Sequence, residues 1–262
     1  MVRERLLAMI SASLNYTFAQ RDEGRDTRLR ELADVCFDAC ISMHETDHLF
    51  SSVFDSFEDA EEEAIFIEAL EPYVLDYEVK TLPPEVVKSI VSHFISENQA
   101  ARLEELLCRL DPLSFDLDQI TMLCRQHSLY DALIYVWTEG IGDYVTPFVD
   151  LLSLVKMLQE GEDDEDLSDN PFFESAMKVY PYLAYSLTGR RYPSGDFMDD
   201  QTASIVKADL YEYLFAGTPT PWPPGSKRVF HTSNNAQEEP AFPYLALLLK
   251  FCLLYTSPSP RD

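Results

Sequence analysis

Apolar residues recur at i, i+3, i+4, i+7 four times through the middle of the chain: Val87/Ile90/Val91/Phe94, Leu103/Leu106/Leu107/Leu110, Leu129/Ala132/Leu133/Val136 and Phe148/Leu151/Leu152/Val155. That spacing makes one face of a helix apolar. A weaker version, Leu117/Ile120/Leu123/Cys124, fills the gap, so five helices of about three turns each follow one another at intervals of roughly fifteen residues. Antiparallel hairpins are the expected result. Pro83-Pro84 can open a helix, where a missing N–H costs nothing, and Asp111-Pro112, His127-Ser128 and Gly140-Ile141-Gly142 interrupt successive ones. All eight glycines fall in expected turns. Further helices are predicted over about residues 3–20, 27–44, 47–57 and 59–76 upstream, and 172–188, 201–216 and 241–251 downstream, with Pro181 kinking or splitting its helix. Two stretches read as solvated loop insertions: Glu160 to Asp169, with seven acidic residues in ten, and the Pro-rich Gly217 to Pro240. Period-2 alternation is scarce. The fold class expected is all-α: an α-solenoid of antiparallel helical hairpins with acidic and Pro-rich insertions.

Composition narrows the partners. The 262 residues are 46% hydrophobic, ample for a packed core, and 46 acidic against 20 basic side chains leave a formal charge of −26. Such a field repels phosphates and anionic headgroups, which argues against nucleic acid and allows membrane contact only peripherally, through partners. Five cysteines (36, 40, 108, 124, 252), odd in number and mostly within apolar helical patterns, suit a reducing cytoplasm. The longest apolar stretch, Ala241 to Tyr255, is broken by Pro243 and Lys250 and falls short of the ~20 residues of a membrane span.

Catalytic motifs are few. His44-Glu45-Thr46-Asp47-His48 is a literal H-E-x-x-H, which on a helix would set two imidazoles one turn apart on one zinc, with Glu45 as general base and Glu68 as third ligand. Asp47 inside the motif, the missing metzincin extension and the lack of a neighbouring sheet favour an exposed helix terminus instead. Cys36, Cys40, His44 and His48 form a four-residue ladder, but on one helix it would span ~18 Å, against ligand distances of ~2–2.4 Å around one zinc. Buried thiols and surface imidazoles are the simpler reading. The expectation is therefore no catalytic residue, no cofactor and no metal, with His44, His48 and Glu68 the residual metal candidates. Asn170-Pro171-Phe172 matches the tripeptide bound by EH domains of endocytic adaptors. The simpler alternative makes Asn170 an N-cap, puts Pro171 at the first helical position and packs Phe172 inward.

The run Leu113-Ser-Phe-Asp-Leu-Asp-Gln-Ile120, then Leu123-Cys124, then Leu129-Tyr-Asp-Ala-Leu-Ile-Tyr-Val-Trp137 resembles the central region of the vacuolar protein sorting-associated protein 8 family, an endosome-specific subunit of the CORVET tethering complex. Similar segments follow the same order: Thr46-Asp47 with Leu49-Phe50, Leu70-Glu-Pro-Tyr-Val-Leu75, Gly142-Asp-Tyr-Val-Thr-Pro147, Gly189-Arg-Arg-Tyr-Pro-Ser-Gly-Asp196, and Phe242-Pro-Tyr-Leu with Leu247-Leu-Leu-Lys-Phe251. The resemblance covers roughly residues 30 to 251. It implies a truncated segment (1–251) of a longer solenoid that elsewhere carries a β-propeller and a RING-type zinc domain. Implied as well is a non-enzymatic scaffold in endosome tethering and fusion and in transport to the vacuole or lysosome, cytoplasmic and peripheral on endosomal membranes. Its partners would be other tethering subunits and an early-endosomal Rab GTPase. The alternatives are a zinc metallohydrolase through His44, Glu45 and His48, or a solenoid adaptor of another trafficking complex such as a HOPS-like one. Residues 252–262 resemble translated sequencing-adapter read-through, and the family pattern leads one to expect an aspartate after Phe251.

Overall fold

The computed structural model describes residues 2–20, 24–160, 170–233 and 239–256. The acidic insertion beyond Glu160 and the last six residues of the tail lie outside them. The chain forms two compact units, Met1–Leu123 and Cys124–Asp262. Among the described residues the regular structure is helical, with two isolated β-bridges, Arg190 to Phe197 and Pro221 to Val229.

In the first unit, α1 (Val2–Ala19) packs on α2 (Arg25–Ser42), which buries Leu29, Ala33, Cys36, Phe37 and Cys40 on one stripe. A short α3 (Thr46–His48) runs through a π-helical turn, Leu49–Val53, into α4 (Phe54–Asp59). α5 (Glu63–Leu75) is buried on most of its faces and supplies the hub of the core. Its Phe66 ring centroid lies 4.9 Å from that of Phe37, 5.2 Å from Phe54 and 5.8 Å from Phe57. Offset and edge-on ring pairs of this kind add to the area they bury. The buried Glu71 carboxylate is held by Arg102, whose guanidinium also lies over the Phe94 ring. α6 (Pro84–Ser96) and α7 (Ala100–Leu107) bury the expected stripes, and Pro84 occupies the first helical position. α8 (Leu117–Gln126) carries the boundary between the units.

The corners fall near the expected breaks, Ser128 among them, but their construction was not foreseen. His44, Glu61, Tyr77, Asn98 and Ser128 each follow a helix with φ between +57° and +60°. In each case the next residue donates its N–H to the carbonyl five positions back: Glu45 to Cys40, Glu62 to Phe57, Glu78 to Tyr73, Gln99 to Phe94 and Leu129 to Cys124, at 2.8–2.9 Å. These are left-handed C-terminal caps built five times without glycine, although glycine is the residue that adopts the conformation freely. Gly140, expected in a turn, lies instead inside a π-helical turn.

In the second unit, α9 (Tyr130–Tyr135) continues into the π-helical turn Val136–Ile141, which Gly142 ends at φ +76°. α10 (Val145–Gln159) lies centrally and contacts α11 (Phe173–Met177), α12 (Val179–Leu187), α13 (Asp200–Leu214) and α14 (Pro243–Thr256). α11 and α12 are one run split at Lys178. Pro181 is the cause: its ring collides with the carbonyl four residues back, that of Met177, and it offers no N–H there.

The Pro-rich stretch is exposed or half-buried along its described length, as a solvated insertion would be, but it is anchored at several points. Trp222 donates its indole N–H to Thr146 Oγ1 at 2.8 Å and packs edge-on against Tyr213, which stacks on Tyr244 at 4.4 Å. The Tyr244 hydroxyl accepts Thr220 N at 2.9 Å and donates to the Phe230 carbonyl at 3.0 Å. Residues 217–233 are thus a strap pinned across α10, α13 and α14.

Candidate interaction site

The H-E-x-x-H residues do not share a helix. α2 ends at Ser42, His44 occupies the left-handed corner with its side chain exposed, and Glu45 precedes α3 as its cap residue. Glu45 is taken by Arg3, and Glu68, on α5, by Arg30. The corner separates the imidazoles that a metallohydrolase would need one turn apart. The Cys36–His48 ladder breaks at the same point. Burial pushes the Cys36 thiol up to about 12, aided by Cys40, so it stays protonated at neutral pH. No group of three or more His, Cys, Asp or Glu among the described residues is placed to hold a metal ion.

A built surface does form in the second unit, where three sequence segments that lie far apart converge. Gly142 turns the chain. Asp143 then accepts Val145 N and Thr146 N on Oδ1, both at 2.9 Å, and the Thr146 hydroxyl on Oδ2 at 2.5 Å. The hydroxyl that donates to Asp143 also accepts the Trp222 indole, so one threonine joins the start of α10 to the strap. The Tyr182 hydroxyl donates to the Tyr144 carbonyl at 2.5 Å, and the Tyr182 ring meets Tyr192 edge-on at 6.0 Å.

The segment 189–198 is a tight hairpin. Met198 N donates to the Gly189 carbonyl at 2.9 Å and Arg191 N to that of Asp196 at 2.8 Å. Gly189 needs its left-handed φ of +75°, and a Cβ there would press on Ala203. Two contacts fix the hairpin to α9 and the turn that follows it, and a third, from Lys178 between α11 and α12, meets the same α9 carboxylate. Arg191 pairs with Glu139, Tyr192 donates its hydroxyl to Asp131 at 2.6 Å, and Lys178 reaches the other Asp131 oxygen at 2.8 Å. Outward, Phe197 is 73% exposed with the Arg190 guanidinium 4.3 Å above its ring.

Burial raises Tyr144 to about 12 and raises Tyr182 and Tyr213 as well, so these hydroxyls are neutral near pH 7. Sequence reasoning had marked the segments 129–137, 142–147 and 189–196, and the structure brings them together. It missed the residues that join them. The Gly-Asp-x-x-Thr spacing of 142–146 is a legible capping signal, whereas the Glu139–Arg191 pair, 52 residues apart, leaves no local trace.

Helical hairpins ended by repeated corners, tied together by a polar and aromatic network, define a helical-repeat protein of the solenoid class. The family model for the Vps8 central TPR matches residues 65–253, and the chain belongs to that family. It is 30% identical over 195 residues to vacuolar protein sorting-associated protein 8 of Saccharomyces cerevisiae, covering 74% of this chain and 15% of that protein. To the Homo sapiens homolog it is 28% identical over 239 residues, covering 88% of this chain and 15% of that one. The Drosophila melanogaster homolog is 26% identical over 211 residues, covering 80% and 15%. The chain therefore spans about 15% of the length of the curated relatives it matches. His44 and His48 precede the segment matched by the family model, and Glu68 lies inside it.

Proposed function

We propose that the chain is a non-enzymatic scaffold segment of a CORVET-like endosomal tethering subunit, acting in endosome tethering and fusion and in transport to the vacuole or lysosome. The observation that carries this reading is the family match across residues 65–253, which takes in all three segments of the convergent surface. Stacked hairpins suit a mechanical task because they present long lateral faces while each contacts only its neighbours. At a net charge of −26 the chain is repelled by anionic lipid, so membranes are reached through partners: other tethering subunits and an early-endosomal Rab GTPase. No helix among the described residues is long and apolar enough to cross a membrane, which suits peripheral association.

The test is deletion of residues 65–253 from the full-length protein in its own cells, followed by co-purification of the tethering subunits and by delivery of vacuolar cargo. Loss of both is expected. Normal delivery together with an intact complex would refute the scaffold reading.

A further inference from the structure

Asn170-Pro171-Phe172 forms the turn that leads into α11 and leaves its first two side chains exposed. The capping bond anticipated from the sequence forms, Asn170 Oδ1 accepting Phe172 N, but it closes a turn ahead of α11, whose first helical carbonyl is that of Phe172, which accepts Ala176 N at 2.9 Å. The ring carried into the core is its neighbour's, Phe173, 6.2 Å from Phe251. The tripeptide closes on itself instead. Phe173 N donates to the Asn170 carbonyl at 2.9 Å and Phe172 N to Asn170 Oδ1 at 3.0 Å. That is a β-turn with asparagine first and proline second, where each is favoured. Asn170 and Pro171 are exposed and Phe172 is half-buried. With Oδ1 engaged inside the turn, the two Nδ2 protons of Asn170 have no acceptor among the described residues.

We infer that Asn170–Phe172 is a docking turn for the Asn-Pro-Phe pocket of an EH domain. The match lies in three features together. The carboxamide keeps its donors for a pocket acceptor, the adjoining proline ring is open to an apolar floor, and the turn is already closed, which removes part of the ordering cost of binding. The chain's charge of −26 selects an EH domain whose pocket has a basic rim. None of this depends on the tethering reading.

The experiment titrates the full chain into an isotopically labelled EH domain with a basic rim and follows the amide resonances lining its pocket. Wild type is expected to saturate. Asn170→Asp keeps the acceptor that closes the turn but loses the amide donors, so it should bind at least about tenfold more weakly while its circular dichroism and melting curve stay unchanged. Phe172→Ala should weaken binding similarly. The inference is overturned by the absence of saturable shifts with wild type up to ~1 mM, by shifts confined to residues outside the pocket, or by Asn170→Asp binding like wild type.

Discussion

Replacing His44 by glycine separates a structural corner from a metal ligand. His44 is exposed and holds φ +57° at the end of α2, where Glu45 N closes the cap on the Cys40 carbonyl at 2.8 Å. An L-residue in that conformation costs about 1–2 kcal/mol, and glycine relieves it. Glycine also gives the unfolded chain more freedom, which returns about 0.4–1 kcal/mol. The expected net effect is a stabilisation of about 0.5–1 kcal/mol, or a rise in urea midpoint of about 0.3–0.5 M for a slope near 2 kcal/mol/M. Both tryptophans, Trp137 and Trp222, lie in the second unit. The measurement is therefore far-ultraviolet circular dichroism during urea titration, with hydrogen exchange over residues 25–59. Glu61→Gly should behave alike, and Asn98→Gly should gain least, because asparagine already tolerates a positive φ. A lowered midpoint for His44→Gly would refute the reasoning, as would near-stoichiometric zinc on wild type that the variant loses.

Tyr244→Phe deletes the hydroxyl that bonds Thr220 N and the Phe230 carbonyl while keeping its stack on Tyr213. It should cost about 1–3 kcal/mol in a urea titration followed by Trp222 emission in a Trp137→Phe background. Asp143→Ala removes the acceptor of Val145 N and Thr146 N and should cost about 1–2 kcal/mol by the same measurement. Burial holds Tyr144, Tyr182 and Tyr213 above the ordinary tyrosine value, so above pH ~10 the unfolded chain binds fewer protons than the folded one. Stability should then fall by about 1.4 kcal/mol per pH unit per tyrosine, with the share of Tyr144 exhausted near its folded value of about 12, and tyrosinate absorbance should rise with unfolding rather than before it. Leu249 and Leu253 on α14 are 55% and 66% exposed, and the isolated chain should self-associate through them; light scattering of Leu249→Lys should show a smaller species. Reading the transcript across the codons for Leu249 to Asp262 checks the final residues, with an aspartate after Phe251 expected.

The helices were legible because their stripes are strong. The buried sets Val87, Ile90, Val91 and Phe94 of α6 and Phe148, Leu151, Leu152 and Val155 of α10 are the ones their spacing implied. The corners were less so. Turn chemistry was sought mainly in glycine and proline, while the exposed Glu61, Tyr77 and Asn98 take the same left-handed conformation within local backbone caps. The end of α14 shows a similar limit: Leu245, Leu248 and Leu249 read alike in sequence, yet Leu248 is buried, Leu245 is half-buried and only Leu249 of the three is exposed. The anchoring of the strap was not legible for a different reason. Its proline content signals the lack of a helix, but the partners that hold Trp222 and Thr220 sit 76 and 24 residues away. Of the convergent surface, the segments could be picked out and the Glu139–Arg191 and Asp131–Tyr192 bonds could not.

The two π-helical turns carry one residue more than an α-helix would hold, and each adjoins a corner: Leu49–Val53 starts five residues after His44, and Val136–Ile141 ends against Gly142. One added residue rotates whatever lies beyond it by about 100° around the helix axis. Beside a corner, little helix remains on that side to be rotated, since α3 has only three residues and Gly142 follows the second turn at once. A single-codon insertion is tolerable at such a spot and ruinous in mid-helix. The two turns are therefore where the chain can change length by one residue while α5 and α10 keep the faces they bury.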